Sequence, residues 1–258
     1  MKLFRGDGPR PLPLSERLYR RFFLKYHSRY LITGLQARAR EQSLDYIEAY
    51  MSDALVFRDR WDLLLHAARV ALEEGLMLEF GVADGASLRY VASRVARSFH
   101  GFDSFEGLPE DWAGTFERRG KFGRAGSLPP VPANARLYSG WFADTLPRFL
   151  GEHAGESAAF VHVDCDIYAS TATVLRHLGD RLRAGTVLVF DEYFNYPNWQ
   201  RHEWRAFQEF VRDTGTGYTY LGFAQKNGHV AVRLGEQSAE ASRLAADKLA
   251  RLGKGETS

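Results

Sequence analysis

Glycine and acidic residues cluster directly after apolar runs in this sequence. The run at residues 76–80 leads into the segment EFGVADGAS, residues 79–87. Gly81 and Gly85 permit a tight turn and a close approach of a ligand to the backbone, and a helix beginning there offers free N–H groups. The G-x-x-x-G spacing differs from the GxGxxG dinucleotide fingerprint, and Glu79 favours a cationic ligand over a phosphate. We therefore expect a turn that binds a cationic ligand, the alternative being an ordinary turn that contains two glycines.

Two further segments suit an adenosine. In FDSFEG, Asp103 follows the next apolar run and would accept both ribose hydroxyls, unless it only caps a turn. In SGWF, the aromatic rings after Gly140 would wall an adenine, unless they are ordinary core residues. S-adenosylmethionine combines a sulfonium and an ammonium with an adenosine, so we predict this cofactor. The residues assigned to it are Glu79, Gly81, Val82, Ala83, Gly85, Ser87, Asp103, Ser104, Gly140, Trp141, Phe142 and Asp164.

Three carboxylates follow the next two apolar runs. Asp164 lies in VDCD, and Asp191 and Glu192 lie in FDEY. Ligands bind at the carboxyl ends of neighbouring parallel strands, so these side chains should converge there. Carboxylates that share a cleft repel one another, and Mg²⁺ would neutralise them. The alternative is that they cap helices or pair with arginine. Asp166, close to Ser170, has the pattern of a helix cap and is left out of the predicted metal set.

The elements that position these residues alternate along the chain. Residues 14–74 have helical spacing of apolar positions, and after Gly75 short apolar runs alternate with helical stretches. We predict strands at residues 76–80, 98–102, 135–138, 158–163 and 186–190, with helices at 87–97, 142–150, 168–182 and 199–213. Such alternation predicts a parallel sheet covered on both faces. Residues 218–223 and 229–234 flank an Asn-Gly turn and should form an antiparallel hairpin.

This order of elements predicts an α/β fold, and it resembles the Rossmann-like sheet of class I methyltransferases, which has a C-terminal antiparallel hairpin. We divide the chain into an N-terminal helical extension (1–74), the sheet domain (75–235) and a flexible tail (236–258), which is rich in Ala, Glu and Lys. Residues 107–132 are rich in Gly and Pro and should form a lid or a substrate loop.

Composition and charge narrow the class of protein. The formal net charge is +2, with 34 Lys and Arg against 32 Asp and Glu, so a nucleic-acid partner is not expected. Residues 1–40 are strongly basic and aromatic, which leaves open a membrane surface, RNA or an acidic partner; a helical extension covering the core or a neighbouring subunit is the simpler interpretation. A single cysteine and the lack of a long apolar run predict a cytoplasmic protein without a membrane span.

The motifs together resemble a known family. The combination of EFGVxxGxS, FDSFEGLP, GWFxDTLP, VDxDxYxST and the DEY after the fifth strand is similar to the macrocin O-methyltransferase family, over about residues 76–194. The resemblance implies S-adenosylmethionine-dependent, Mg²⁺-dependent methylation of sugars and natural products. It places the metal ligands at Asp164, Asp191 and Glu192 and the ribose carboxylate at Asp103, and it makes Asp164 the candidate general base. The family commonly has Asp-Asp after the fifth strand, whereas in this sequence Glu192 follows Asp191.

We therefore expect an O-methyltransferase, forming a homo-oligomer, that acts on a small hydroxylated acceptor such as a sugar-bearing metabolite. His202, in the segment NYPNWQRHEW, is a second candidate general base for a metal-free reaction. One alternative is a metal-dependent glycosyltransferase that uses the string Asp164-Cys165-Asp166. A non-catalytic or RNA-associated module that uses the basic N-terminus is another.

Overall fold

The computed structural model describes residues 14–19 and 30–253. Its strands are β1 (Leu55–Phe57), β2 (Leu76–Phe80), β3 (Phe99–Asp103), β4 (Ala135–Ser139), β5 (Ala158–Val163), β6 (Val187–Phe190), β7 (Thr216–Ala224) and β8 (Val230–Gln237). Its helices are α1 (Leu14–Tyr19), α2 (Leu31–Tyr50), α3 (Arg60–Val70), α4 (Ala86–Ala92), α5 (Phe142–Glu152), α6 (Tyr168–Leu178), α7 (Glu203–Thr214) and α8 (Ala239–Leu252). Short 3₁₀ helices lie at Gly179–Arg181 and Trp199–Arg201. The predicted leader and most of the basic N-terminal segment lie outside the described residues.

All the described strands belong to one sheet, in the order β1-β7-β8-β6-β5-β2-β3-β4. The five strands β2 to β6 are mutually parallel where they pair, and β8 pairs antiparallel with both β6 and β7. Parallel strands joined by helices, closed by an antiparallel hairpin, confirm the α/β prediction. Strand and helix bounds differ from the predicted ones by a few residues at several ends, where local periodicity does not mark the last hydrogen bond.

The central strands have no polar face, because helices cover both sides of the sheet. Every residue of β2, β5 and β6 is buried. Two of these buried residues, Glu79 and His162, are ionisable and face each other across neighbouring strands. Among these three strands, the ionisable side chains are therefore confined to that pair.

The segment predicted to be wholly helical contains a strand. Residues Leu55–Phe57 pair in parallel with β7 at the edge of the sheet. Helix α3 follows at once, and the Asp59 carboxylate caps it by accepting hydrogen bonds from the N–H groups of Trp61 and Asp62. The strand was missed because three residues are too few to show a period of two. This part of the proposed extension is built into the sheet.

The predicted flexible tail is largely a packed helix. Ser238 caps α8, and Ala245 is only 1% exposed. Lys248 is 9% exposed; its ammonium donates a 2.7 Å hydrogen bond to the Tyr218 hydroxyl and lies 4.5 Å from the ring centroid of Tyr50. The prediction failed because small alanines and one lysine stem can pack against a tyrosine-rich surface without large apolar residues. Within the described residues, no helix is long and apolar enough to cross a membrane.

Replacing Lys248 with Met should lower the free energy of unfolding by about 1–3 kcal/mol, because cation–π contacts and a hydrogen bond are lost while the apolar stem is kept. Chemical denaturation followed by circular dichroism measures this change. The control is Arg251→Met, an exposed position on the same helix. Equal stabilities of the two variants would show that the ammonium does not anchor α8.

Candidate active site

A cavity of about 380 Å³ opens at the carboxyl ends of the central strands. Its walls come from all five of the predicted segments, from the 107–132 loop and from the start of α3. The lining residues are Arg60, Trp61, Gly81, Val82, Ala83, Asp84, Ala86, Ser87, Asp103, Ser104, Gly107, Leu108, Pro109, Trp112, Phe122, Trp141, Phe142, Asp164, Cys165, Asp166, Ser170, Asp191 and Glu192. This position is where open parallel sheets bind ligands.

Backbone hydrogen bonds continue past the strand ends and align the turns. The Asp164 N–H donates to the Phe80 carbonyl at 2.8 Å, and the Asp191 N–H donates to the Val163 carbonyl at 2.9 Å. Gly81 has a φ of +90°, and a Cβ there would overlap the Asp164 carbonyl oxygen. A glycine is therefore required at this position by the neighbouring turn as well as by the cavity that it lines.

Glu79 does not reach the cavity, contrary to its predicted role beside a cationic ligand. The residue is 2% exposed and is absent from the cavity wall. One carboxylate oxygen accepts a 3.0 Å hydrogen bond from the Ser87 hydroxyl, and the other lies 3.0 Å from Nδ1 of His162. Its charge is thus balanced by a buried imidazole rather than by a ligand.

Asp103 lines the cavity, as predicted, but its carboxylate also builds the first turn. Oδ2 accepts hydrogen bonds from the N–H groups of Val82 and Ala83 at 2.8 and 2.7 Å. Oδ1 accepts one from the Phe105 N–H at 2.7 Å. The capping role is therefore established, and Oδ1 keeps one free acceptor position for a ligand. Ser104 lies beside it in the wall.

Of the residues predicted around an adenine, Trp141 and Phe142 line the cavity and Gly140 does not. Trp141 is 41% exposed, which leaves much of its ring without a protein contact. Gly140 has a φ of +138°, and a Cβ there would lie 2.9 Å from the Thr145 side chain. Gly140 thus serves the turn, as does Gly85, which has a φ of +77° at the start of α4 and also lies outside the wall.

Asp191 is neutralised by basic side chains from three other parts of the chain. Nη1 of Arg60 donates a 3.0 Å hydrogen bond to Oδ2, while Nδ1 of His229 and Nε2 of His162 lie 2.9 and 3.7 Å from Oδ1. Burial opposes the charge of Asp191, but the two imidazoles and the guanidinium outweigh it and hold the pKa of this carboxyl well below its usual range. Nη2 of Arg60 also lies 3.5 Å from Asp164.

The remaining carboxylates form a second group, in which Asp164 alone has a basic partner among the described ion pairs, namely Arg60. Ligand atoms of Asp164, Asp166 and Glu192 all lie within 4.8 Å of one another. Burial and the neighbouring Asp191 charge raise the pKa of Glu192 well above its usual value and that of Asp164 to about 7. Oε2 of Glu192 is buried and has no hydrogen-bond partner among the described residues. Close, repelling oxygen ligands with an orphaned acceptor fit a hard divalent cation.

This grouping corrects the sequence interpretation of Asp166. Helix α6 begins after Ile167 with no side-chain cap, so Asp166 does not cap it. Asp166 instead has a φ of +65° and lines the cavity. A left-handed conformation is tolerated by aspartate, and it accompanies the placement of this carboxylate beside Asp164. A third acid, Glu203, is fully buried and accepts a 3.0 Å hydrogen bond from the Glu192 N–H.

His202 is absent from the cavity wall and therefore does not face a reacting group. Its Nε2–H donates a 3.0 Å hydrogen bond to the Ala113 carbonyl, and its ring lies beside Trp112 and Tyr196. Burial lowers the pKa of His202 from its ordinary value. The residue fastens the 107–132 loop to the start of α7, and the sequence context did not reveal this because the partner is a backbone carbonyl.

The 107–132 loop covers the cavity and packs on its own side chains. Leu108 and Trp112 are buried against Ile167 and Tyr196. The Leu108 N–H donates to the Lys121 carbonyl at 2.9 Å, and the Gly120 N–H donates to the Leu108 carbonyl at 2.9 Å. The loop is thus a compact, Ω-like wall of the site.

Comparison with known proteins places this geometry in a family context. Residues 78–193 match the family model described as a methyltransferase domain. The chain is 28% identical over 172 residues to 8-demethyl-8-(2,3-dimethoxy-alpha-L-rhamnosyl)-tetracenomycin-C 4'-O-methyltransferase of Streptomyces olivaceus, with 55% of this chain and 63% of that protein covered. The matched part therefore spans less than two thirds of that curated relative.

A solved structure shares the fold. The crystal structure of a calicheamicin methyltransferase superposes with a TM-score of 0.52 at 20% identity, covering 88% of this chain and 98% of that one. At this identity the match concerns the fold alone, and it confirms the predicted class I methyltransferase sheet. The resemblance drawn from the motifs is confirmed at the level of a methyltransferase domain.

Replacing His162 with Gln should lower the free energy of unfolding by about 3–5 kcal/mol, since two buried carboxylates lose their shared counter-charge. Burial disfavours the imidazolium, but Asp191 and Glu79 outweigh it and raise the pKa of His162 to about 10. The unfolded value is about 6.5, so this contribution is complete below that pH and is lost as pH rises through 10.

Urea unfolding of the wild type and of H162Q between pH 7 and pH 10 tests this. The difference between the two free energies should narrow steadily with pH. A difference that does not change with pH would mean that His162 is neutral in the folded protein.

Proposed function

We propose that this chain, which carries a methyltransferase domain over residues 78–193, is an S-adenosylmethionine-dependent O-methyltransferase that acts on a hydroxyl of a small molecule. The observation that carries the proposal is the single cavity that joins two features. One end presents the glycine turn and Asp103, and the other presents the carboxylates of Asp164, Asp166 and Glu192. A methyl donor and an activated acceptor oxygen need this adjacency.

The cofactor would occupy the end formed by the first three parallel strands. The Asp103 carboxylate and the Ser104 hydroxyl would provide polar contacts, while Trp141 and Phe142 would provide an apolar wall. A half-exposed indole and an aromatic neighbour suit an adenine ring. Glu79 stays outside the binding set and supports it through Ser87, which lines the cavity.

A divalent cation such as Mg²⁺ would be held by Asp164, Asp166 and Glu192. The fit rests on the donor set, three carboxylates within 4.8 Å, and on the orphaned Oε2 of Glu192. When bound, the ion would lower the pKa of an acceptor hydroxyl and orient it. We propose this set in place of the one with Asp191, because basic side chains already occupy both oxygens of that carboxylate.

Methyl transfer requires the acceptor oxygen in line with the carbon–sulfur bond of the donor, and a group that takes the hydroxyl proton. We assign the proton to Asp164, whose carboxylate lines the cavity. When bound, S-adenosylmethionine would supply the methyl group to the acceptor oxygen and would leave as the neutral thioether S-adenosylhomocysteine. The loop with Leu108 and Trp112 excludes water from this step. His202 is not assigned a catalytic role, because it does not line the cavity.

The acceptor class is proposed from the cavity and from the relative. The name of the Streptomyces olivaceus protein specifies a rhamnosyl group on tetracenomycin C as the methyl acceptor. The exposed Phe122 at the cavity of this chain would accommodate an apolar group attached to a sugar. We therefore propose a sugar hydroxyl of a natural product. A cytoplasmic location and a homo-oligomeric state stay predictions.

Calorimetry with S-adenosylhomocysteine and its 2'-deoxy analogue tests the cofactor assignment. If Asp103 accepts a ribose hydroxyl, Asp103→Ala should weaken binding of S-adenosylhomocysteine by about tenfold to a hundredfold, equivalent to about 1.5–3 kcal/mol. The variant should bind the deoxy analogue about as well as the wild type does. Equal losses for both ligands would reduce Asp103 to a cap of the turn. Asp213→Ala, on the exposed end of α7, is the control, and binding of UDP-glucose instead would overturn the methyltransferase proposal.

Removal of divalent cations should abolish methyl transfer. The assay follows radiolabelled methyl from S-adenosylmethionine to p-nitrophenyl α-L-rhamnoside, and Mg²⁺ or Mn²⁺ should restore activity after treatment with EDTA. Asp166→Asn should raise the Mg²⁺ concentration needed by about tenfold or more, because one charged ligand is lost, while binding of S-adenosylhomocysteine stays nearly unchanged. Full activity in excess EDTA would refute the role of the metal and leave Asp164 as a base acting alone.

A further inference from the structure

Arg60 is the one cavity-lining residue in the described chain that carries a permanent positive charge. It is the first residue of α3, and the Asp59 cap fixes the helix start. Its side chain is 29% exposed, and its two terminal nitrogens reach Asp191 at 3.0 Å and Asp164 at 3.5 Å. The guanidinium therefore bridges two carboxylates that arise from different strands.

The basic groups around Asp191 oppose a cation on that side of the cleft, although ligand atoms of His162, Asp164 and Asp191 lie within 4.8 Å of one another. Its Oδ2 bonds to Arg60, and its Oδ1 faces His229 at 2.9 Å and His162 at 3.7 Å. A metal ion that bound Asp191 would lie a few ångströms from the fixed guanidinium, and the two positive charges would repel. Glu192, the adjacent residue, has no basic partner among the described ion pairs and keeps an orphaned oxygen.

We infer that Arg60 is a built-in counter-ion that fills the Asp191 side of the cleft and confines divalent-cation binding to one ion at Asp164, Asp166 and Glu192. The inference rests on the metal part of the proposed function. Arg60 acts as a positioning residue, because it works through the carboxylates rather than on the acceptor. The Arg60 charge also lowers the affinity for the ion that binds, since Asp164 is shared between the guanidinium and the metal set.

Loss of the Arg60 charge should make the cleft bind cations more strongly. In Arg60→Gln the second carboxylate, Asp191, is released, so Mn²⁺ should bind at least about tenfold more tightly or bind as two ions instead of one. Arg60→Lys keeps a positive charge and should behave like the wild type. Arg58→Gln removes an exposed arginine two residues away, which pairs only with Asp59 and Asp62 on the surface, and should also leave binding unchanged.

Electron paramagnetic resonance of Mn²⁺, titrated into the full chain without cofactor, gives affinity and stoichiometry for all four proteins. Circular dichroism confirms that each variant is folded. Tighter or double binding in R60Q, with R60K and R58Q binding one ion like the wild type, supports the inference. A wild type that binds no ion while R60Q binds one overturns it, because Asp164, Asp166 and Glu192 would then not hold an ion beside Arg60. One equal ion in all four proteins, or weaker binding in R60Q, overturns the inference and leaves the metal proposal standing. No binding in any protein overturns both.

Discussion

The arrangement of this site depends on how buried carboxylates are neutralised at the carboxyl ends of strands β5 and β6. Removing a charge from water is costly unless a counter-charge or a metal compensates it. At these strand ends, two neighbouring groups of carboxylates are compensated in different ways. Asp191 is compensated by the protein itself, through Arg60 and two histidines. Asp164, Asp166 and Glu192 share only part of that compensation, and their raised pKa values express the deficit.

The fold supplies these partners through strand register. Phe190 of β6 pairs with Val230 of β8 in antiparallel register, so the residues just beyond that pair, Asp191 and His229, come together. His162 reaches the same carboxylate from the neighbouring parallel strand β5, where Val163 pairs with Phe190. The antiparallel hairpin is therefore part of the site and not only an edge of the sheet, because it delivers an imidazole that no parallel crossover would place there.

Much of this was predictable from the sequence because the signals were local. The alternation of apolar runs and helices, the Asn-Gly hairpin and the acidic residues after successive runs each arise from neighbouring residues. What could not be predicted were partners distant in the chain: Arg60 meets Asp191 across 131 positions, and no local pattern marks it. Asp166 was misassigned because a nearby serine imitates a cap, whereas its left-handed backbone turns the carboxylate into the cavity wall. Helix α8 was missed because its composition does not show that Lys248 packs on the rings of Tyr50 and Tyr218, which are distant in the chain.

The central claim is that one cavity has a cofactor end and an acidic end, and that at the acidic end Asp191 pairs with Arg60 while Asp164, Asp166 and Glu192 bind the metal. A crystal structure with S-adenosylhomocysteine and Mn²⁺ tests this claim most directly. Anomalous scattering at the manganese edge locates the ion without ambiguity. We predict one peak among Asp164, Asp166 and Glu192, with Arg60 still bonded to Asp191 and the adenosine beside Asp103 and Trp141. A peak on Asp191 with Arg60 displaced, or an adenosine bound outside this cavity, would contradict the account.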